Sequence, residues 1–343
     1  MPDERHSSEA KGVNGTQMWW IWLIVVIFAI VFSAFLYMYI QYLKYRRQMP
    51  KPSYRRPEVR PEIEQWSDDE VHIAWIGHAT MLIKIFDVTI LTDPIFMHRV
   101  GISLLPRVVI GPKRFTAPAL HFKEVRNQVD LVLLSHGHLD HFDLPSLRRL
   151  ARPEADVITA ENTSKLLRRM SFGRVHELKV RDTLETDKGV RITAVPARHW
   201  GARFPWNRDY RWNGYVIEYR GVRILFTGDT AVTKDYQDLA KTEPGIDVAC
   251  MPIGAYSPDN FQTAHCTPEQ AWQMFRDSGA RWLVPMHWGT IVLSVEPIHE
   301  PIERLLAAAE KDGQEDRVVI REVGGSFRLP LEEEPQNRLR QKL

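Results

Sequence analysis

Cysteine is scarce in this chain, and so is an excess of charge of either sign. The two cysteines, Cys250 and Cys266, do not form a C-x-x-C pair, which argues against a disulfide framework. Cys266 follows His265, so a thiol ligand or nucleophile competes with the commoner case of a buried, unreactive thiol. The formal net charge is only +2, and without a strongly basic face nucleic acid is not expected as a partner.

Charged residues are also missing between Met18 and Ile40. This run of about 23 residues is long enough to cross the hydrocarbon core of a bilayer. Tryptophan is concentrated at its start and tyrosine at its end, as in the aromatic belts of membrane-spanning helices. A secretory signal peptide is the rival interpretation, but it needs a basic start and a small-residue cleavage site that this sequence lacks. We therefore expect a single-pass transmembrane anchor over residues 18–43.

Basic residues are rare before this segment and common after it. Arg5 and Lys11 stand before it. The residues after it include Lys44, Arg46, Arg47, Lys51, Arg55 and Arg56. The positive-inside rule then places the carboxyl-terminal bulk of the chain in the cytoplasm.

The composition changes again around the prolines that follow, which predict a short, stiff spacer. The chain thus divides into a polar start (1–17), a transmembrane anchor (18–43), a basic, proline-rich linker (44–66), a large globular domain (67–331) and a polar tail (332–343).

Apolar runs separated by turns predict a mixed α/β domain. Strands are expected at 72–76, 81–86, 89–91, 131–134, 190–195, 215–219, 223–226, 248–251 and 282–286. Asp143 is a plausible N-cap for a helix over 144–151, and Thr267-Pro268-Glu269-Gln270 is typical of a helix start. This mixture favours a layered sandwich over a helical bundle.

The segment Ser135 to His141 reads SHGHLDH and directly follows an apolar strand. It contains four side chains that bind metals: His136, His138, Asp140 and His141. Neutral imidazole and carboxylate oxygen both suit zinc. Residues at i and i+2 can converge on one ion from a strand end, and Asp140 and His141 then point to a neighbouring position. The spacing therefore suits two adjacent metals better than one.

Other predicted strands also lead into a potential ligand. His199, Asp229 and His287 each follow an apolar run. Any one of them is weak support, because a lone histidine is more often structural than functional. Together with the SHGHLDH segment, however, they predict a rigid metal site along one edge of the sheets.

At this point the residues resemble a known family. SHGHLDH (135–141), ARHWGAR (197–203), TGDT (227–230) and MHWGT (286–290) resemble the metallo-β-lactamase superfamily. WIGHATMLI (75–83), LTDPIF (91–96), GPKRF (111–115), PWNR (205–208) and HCTPEQA (265–271) resemble the branch that contains N-acylphosphatidylethanolamine-hydrolysing phospholipase D. The related ascorbate-6-phosphate lactonase branch shares part of this set. The resemblance implies a four-layer αββα sandwich over residues 67–331, preceded here by the transmembrane helix.

The resemblance also implies a ligand set. One zinc is held by His136, His138 and His199. The second zinc is held by Asp140, His141 and His287, and Asp229 bridges the two. Other divalent metals, such as iron or manganese, can occupy similar ligands.

Three further roles follow from the resemblance. His265 corresponds to an extra active-site histidine that contacts phosphate or assists proton transfer, although it also stands beside a helix start. Asp93 and His78 orient the ligand imidazoles, or Asp93 simply makes a turn before Pro94. The apolar stretch between Ile95 and Phe115 is edged with cations and either dips into a lipid surface or belongs to the core. Those cations are Arg99, Arg107, Lys113 and Arg114.

The function implied is that of a membrane-anchored dinuclear zinc phosphodiesterase. It would cleave N-acylphosphatidylethanolamine to phosphatidic acid and an N-acylethanolamine by attack of a metal-bridging hydroxide. Ala231-Val232 stands where the phospholipase usually has Gly-Tyr. The alternatives are a metal-dependent lactonase or esterase on a soluble substrate and a catalytically inactive membrane scaffold. The expected partners are phospholipid and membrane, and a homodimer follows from the resemblance only.

Overall fold

The computed structural model describes residues 15–105, 108–242 and 244–331. The predicted polar tail (332–343) lies outside these residues, as does most of the predicted polar start. The contacts within the chain define two compact units, and the boundary between them along the chain falls between Met49 and Pro50. The domain boundaries given above stay predictions.

The first unit contains one long helix, α1 (Gly15–Gln48). Its segment Trp19–Gln48 is long and apolar enough to cross a membrane by length and composition. Side chains from Trp19 to Ile40 are exposed around the whole helix. The predicted helix is confirmed and continues past residue 43, whereas its passage through a membrane and the cytoplasmic orientation stay predictions.

The second unit is built from strands and short helices. Its strands are β1 (Val71–Gly77), β2 (Thr80–Ile85), β3 (Val88–Thr92), β4 (Ile102–Leu105), β5 (Val108–Ile110), β6 (Leu131–Leu134), β7 (Asp156–Ala160), β8 (Val175–Leu178), β9 (Thr183–Glu185), β10 (Arg191–Val195), β11 (Gly214–Tyr219), β12 (Val222–Phe226), β13 (Val248–Pro252), β14 (Trp282–Met286) and β15 (Ser326–Arg328). Its α-helices are α2 (Phe122–Val125), α3 (Leu144–Leu150), α4 (Pro268–Asp277) and α5 (Glu300–Lys311).

These strands form two large sheets and one hairpin. The first sheet has the order β15-β1-β2-β3-β6-β7-β8, and the second has the order β14-β13-β12-β11-β10-β9. Strands β4 and β5 pair with each other in a separate two-stranded hairpin. The two large sheets share one apolar core, to which Trp75 and Ile90 contribute from the first and Phe226 and Val248 from the second.

Helices cover the outer face of each sheet. Along β6, Leu131 and Leu133 belong to the core between the sheets, whereas Val132 and Leu134 pack with the α3 residue Leu147 in a second cluster. This alternation is expected for a strand that is buried on both faces. On the other sheet α4 contacts β13. The predicted αββα metallo-β-lactamase sandwich is therefore confirmed.

The local signals read from the sequence agree with these elements. Asp143 caps α3 by accepting a hydrogen bond from the Ser146 backbone amide at 3.0 Å. Thr267 and Gln270 form a reciprocal capping box at the start of α4. Residues 50–66 of the predicted linker belong to the second unit, where Arg55 pairs with Thr116 and Ile63 is buried.

Candidate metal centre

The ends of four strands meet at one edge of the sandwich. Strand β6 leads to His136, β10 to His199, β12 to Asp229 and β14 to His287. Strand β12 runs parallel to β13 and β13 to β14, while β10 and β12 are both antiparallel to β11. Their carboxyl ends therefore lie at the same edge of the second sheet, which is where the predicted ligands are brought together.

The first group of predicted ligands is His136, His138 and His199. His136 Nε2 lies 2.8 Å from His138 Nδ1, and His199 Nε2 lies 3.2 Å from that same nitrogen. Three imidazole nitrogens thus converge within the volume that one ion would fill. Zinc bonds to nitrogen at about 2.0–2.1 Å, so ligand atoms around one ion are separated by about 3–3.5 Å.

The second group contains Asp140, His141 and His287, together with His78. His287 Nε2 is 3.6 Å and His141 Nε2 is 3.8 Å from Asp140 Oδ2. This group offers two nitrogens and one carboxylate oxygen, which is a ligand set that suits zinc and other transition metals.

Asp229 lies between the two groups. Its Oδ2 atom is 3.1 Å from His141 Nε2, 3.1 Å from His287 Nε2 and 3.8 Å from His199 Nε2. One carboxylate oxygen therefore reaches ligands of both groups, as the predicted bridging role requires. Gly228 precedes it with φ +59°, and a Cβ there would lie 2.7 Å from the Ser135 Cβ, so only glycine fits.

Hydrogen bonds on the outer side of the imidazoles set which nitrogen faces the site. His141 Nδ1 donates to Asp93 Oδ2 at 2.7 Å, and His199 Nδ1 donates to the Ala264 carbonyl at 2.8 Å. His136 Nδ1 lies 2.8 Å from Ser135 Oγ, which itself donates to Asp93. These contacts turn the Nε2 atom of each of the three rings toward the centre.

His78 holds Asp140 from outside the group. Its Nε2 atom lies 3.2 Å from Asp140 Oδ2, and burial lowers the pKa of His78 to about 3, so the ring is a neutral donor. His78, Asp93 and His287 all have positive φ angles of 58°, 32° and 62°. Such backbone conformations are disfavoured for residues other than glycine, and they are typical of functional sites.

The site is electrostatically prepared for positive charge. Burial would lower the pKa of His287, but Asp229 and Asp140 raise it to about 9, and Asp229 likewise raises that of His141. Burial would raise the pKa of Asp229, yet His141 and His287 hold it well below its usual value. Burial keeps His136 and His199 neutral by lowering the pKa of each. The carboxylates of Asp140 and Asp229 therefore favour positive charge at His141 and His287, whereas His136 and His199 stay neutral.

Several buried polar atoms of this site lack a hydrogen-bond partner in the described part of the chain. They include Asp229 Oδ1, together with His141 Nε2 and His287 Nε2, which lie 3.1 Å from Asp229 Oδ2. Leaving a buried polar atom unpaired is costly, so such a cluster calls for another partner. Metal ions fit both the donor types and their spacing.

His265 lies at the rim of the same site. Its Nδ1 atom is buried, lies 3.9 Å from Asp229 Oδ2 and has no hydrogen-bond partner among the residues that the structure describes. Burial lowers the pKa of His265 to about 4. It can therefore act as a neutral hydrogen-bond donor beside the ligands, and the predicted catalytic role stays a prediction.

The four cations predicted to contact lipid lie in different surroundings. Lys113 is exposed, and Arg99 is half-buried with Nη1 donating to the Gly111 carbonyl at 2.6 Å. Arg107 lies outside the described residues. Arg114 is only 1% exposed, and burial lowers its pKa to about 10. Its Nη1 donates to the Ile95 carbonyl, so the prediction that Arg114 contacts a lipid surface is wrong.

Three contributors to the site were not foreseen in the sequence. Ser135 is part of the SHGHLDH segment, so its position beside His136 was the available signal. The Ala264 carbonyl gave no signal in the sequence, because every residue has a backbone carbonyl. Trp200 stacks on His199 with ring centroids 4.5 Å apart, and its place directly after a predicted ligand was visible in the sequence.

With this geometry in hand, comparison with known proteins identifies the class. A sequence model described as the β-lactamase superfamily domain matches residues 88–288, which is more than half of the chain. The chain therefore belongs to the metallo-β-lactamase superfamily, a family that includes metal-dependent hydrolases. A possible metal-dependent hydrolase from Veillonella parvula has the same fold, with TM-score 0.59 and 17% identity over 75% of this chain and 99% of that one. A metallo-β-lactamase fold protein from Bacillus subtilis superposes with TM-score 0.52 and 16% identity over 76% and 100%.

Within the superfamily the chain is similar to enzymes named for one lipid reaction. It is 32% identical to the mitochondrial N-acyl-phosphatidylethanolamine-hydrolyzing phospholipase D of Saccharomyces cerevisiae, over 77% of this chain and 57% of that protein. It is 27% identical to N-acyl-phosphatidylethanolamine-hydrolyzing phospholipase D 1 of Caenorhabditis elegans, over 75% of this chain and 76% of that protein. A metal-dependent hydrolase of Methanopyrus kandleri is 27% identical over 75% and 99%. The predicted resemblance is thereby confirmed.

Proposed function

We propose that this protein is a membrane-anchored phosphodiesterase with two zinc ions. Its substrate is N-acylphosphatidylethanolamine, and its products are phosphatidic acid and an N-acylethanolamine. The observation that carries the proposal is the convergence of seven predicted ligands on one edge of the sandwich, in two groups that share Asp229. The similarity to the yeast and nematode enzymes supports the choice of lipid.

Some of these residues would bind the metal ions, and others orient the side chains that bind them. His136, His138 and His199 would hold one zinc, Asp140, His141 and His287 the other, and Asp229 would contact both. When bound, zinc polarises phosphoryl oxygens and lowers the pKa of water, which supplies a nucleophile near neutral pH.

The remaining groups act on orientation and protons. Asp93 and the Ala264 carbonyl keep the Nδ1 protons of His141 and His199 on the outer side of the rings. His265 stands beside Asp229, where a neutral imidazole can donate a hydrogen bond to a phosphoryl oxygen.

The apolar helix α1 supports a lipid substrate over a soluble one. A tethered enzyme meets lipids of the same bilayer at a high effective concentration, whereas a tether gives no such gain for a soluble ester. The cytoplasmic placement of the domain and a homodimer also remain part of the proposal.

The first test is hydrolysis of N-acylphosphatidylethanolamine by the full-length, zinc-loaded protein in mixed micelles. We expect phosphatidic acid and N-acylethanolamine as products. His136→Ala should lower the rate by more than about a hundredfold, since loss of an outer partner of a ligand alone costs about 10- to 100-fold. His176→Ala is the matched control, because His176 lies on β8 and belongs to no candidate metal group among the described residues.

The assay also separates the alternatives. Hydrolysis of lactones or soluble esters, without detergent and with no cleavage of the phospholipid, would replace the proposal by a soluble-substrate hydrolase. A protein that retains no metal and shows neither activity would instead be an inactive scaffold.

A further inference from the structure

The exposed tryptophans of the second unit lie in one loop. Eight of the eleven tryptophans follow residue 50, and two of these eight, Trp200 and Trp206, are exposed. The exposed fractions are 47% and 74%. Both belong to residues 196–213, the connection between β10 and β11, which we call the aromatic loop. Exposed apolar residues are ordinary when scattered, but two large aromatic side chains on one loop indicate a contact surface.

This surface begins at the metal centre. The Trp200 ring stacks on His199 with centroids 4.5 Å apart and meets the His138 ring edge-on at 4.7 Å. Trp206 stacks on Phe204 with centroids 5.0 Å apart and an interplanar angle of 14°. The loop thus carries one aromatic side chain against the ligands and a stacked aromatic pair a few residues further along.

The backbone of the aromatic loop is firmly held. Trp212 Nε1 donates to the Ala197 carbonyl at 2.8 Å and closes the base of the loop. Arg203 Nη1 donates to the Phe142 carbonyl at 2.8 Å, next to the SHGHLDH segment. A Cβ on Gly201 would lie 2.5 Å from the Arg211 carbonyl oxygen, so the loop packs closely there. These contacts hold both ends of the loop against the rest of the second unit and leave the indoles of Trp200 and Trp206 exposed.

The loop is also cationic. Arg198, Arg208 and Arg211 are exposed, whereas its one acidic residue, Asp209, pairs with Lys165 at 2.6 Å. Tryptophan beside arginine is the composition of protein segments that lie at a bilayer interface, where the indole occupies the head-group region and the cation pairs with phosphate. A neutral soluble substrate would give no reason for this charge.

We propose that the aromatic loop docks the metal centre onto a phospholipid surface. Phe204 and Trp206 insert among the head groups, the exposed arginines pair with lipid phosphates, and Trp200 contacts hydrocarbon of the lipid that enters the site. This inference rests on the proposed function, because it concerns the surface that presents the substrate to that same site.

A labelling experiment tests the docking without any need for catalysis. Cys250 and Cys266 are both buried, so a thiol introduced by Trp206→Cys can be labelled selectively with a nitrobenzoxadiazole fluorophore. The full-length protein is placed in nanodiscs that contain nitroxide-labelled phospholipid. The matched control is Lys188→Cys, which lies beyond the other end of β10, a strand about 15 Å long.

The expected result is strong quenching of the label at position 206 and little at position 188. Equal quenching at the two positions would overturn the proposal, and so would failure of the full-length protein to associate with the nanodiscs.

A kinetic experiment tests the same surface during turnover. Trp206→Ala should raise the surface concentration of lipid needed for half-maximal rate by about tenfold, equivalent to about 1.4 kcal/mol of interfacial binding. Trp206→Phe should restore most of that loss. Because Trp206 is 74% exposed, the fold should persist in both variants, which circular dichroism checks.

The two failures are distinguishable. A wild-type protein that cleaves no phospholipid contradicts the proposed function, while the labelling result still decides whether the loop meets lipid. If the wild type cleaves phospholipid and Trp206→Ala has the same concentration dependence, only the docking proposal fails.

Discussion

At the scale of single residues, Asp93 shows how a side chain outside the ligand set controls one within it. Its carboxylate is buried and accepts hydrogen bonds from His141 Nδ1, from Ser135 Oγ and from the Ser135 backbone amide. Burial raises the pKa of Asp93, whereas the hydrogen bond from His141 lowers it. The carboxyl group of Asp93 thus fixes the orientation of the His141 imidazole on which the site depends.

Asp93→Asn tests this control. An amide in place of the carboxylate removes the negative charge and turns one acceptor into a donor facing His141. We expect zinc affinity to fall by about 10- to 100-fold. Competition with a chromogenic chelator measures it.

Asp130→Asn is the control for that variant. Asp130 is also buried in part and accepts from the Thr89 amide at 2.9 Å, but it precedes β6 at the end away from the ligands. Equal zinc affinity in Asp93→Asn and wild type would contradict the orienting role.

The sequence left Asp93 open between a turn residue and an orienting group. Thr92-Asp93-Pro94 fits either role, and only the proximity to His141, forty-eight positions along the chain, favours the second. The prediction that Arg114 contacts lipid was wrong for a similar reason. Its burial depends on residues such as Ile95 that the tertiary fold places around it, and a basic residue beside an apolar run does not reveal that.

At the scale of elements, local chemistry explains where α4 begins. Thr267 Oγ1 accepts from the Gln270 amide at 3.3 Å, while Gln270 Oε1 accepts from the Thr267 amide at 2.9 Å. Both donors would otherwise be unpaired at the helix start. The cap matters for the site as well, since His265 and the Ala264 carbonyl come just before it.

Thr267→Ala should therefore destabilise the domain by about 1 kcal/mol, the usual cost of losing an N-cap side chain. Thr267→Ser keeps the hydroxyl and should lose much less. Chemical denaturation of the two variants measures the difference, and equal stability of the Ala and Ser variants would contradict the capping account.

Other elements could not be predicted from their own residues. Strand β8 has only one buried side chain among its four residues and β9 has only three residues, so neither shows a clear apolar alternation. Their pairing with β7 and β10 is a tertiary property. Helix α5 is different. Pro301 near its start and the spacing of its apolar residues could have predicted it, but this helix was not among those predicted from the sequence.

At the scale of the whole molecule, the site exists only because distant segments meet. Asp140 and His141 follow β6 of the first sheet, whereas Asp229 and His287 follow strands of the second. The apolar strands and their polar ends were predictable from the sequence. Which strands lie side by side was not, and the αββα arrangement came from the resemblance of short motifs to a family.

The central claim is that this edge of the sandwich holds two metal ions. Elemental analysis of the purified full-length protein, after removal of loosely bound metal, tests it most directly. The account predicts about two zinc ions per chain in the wild type and a clear loss in Asp229→Asn, because that carboxylate reaches His199 of one group and His141 of the other. A folded wild-type protein that retains no metal, even after incubation with zinc, would contradict it.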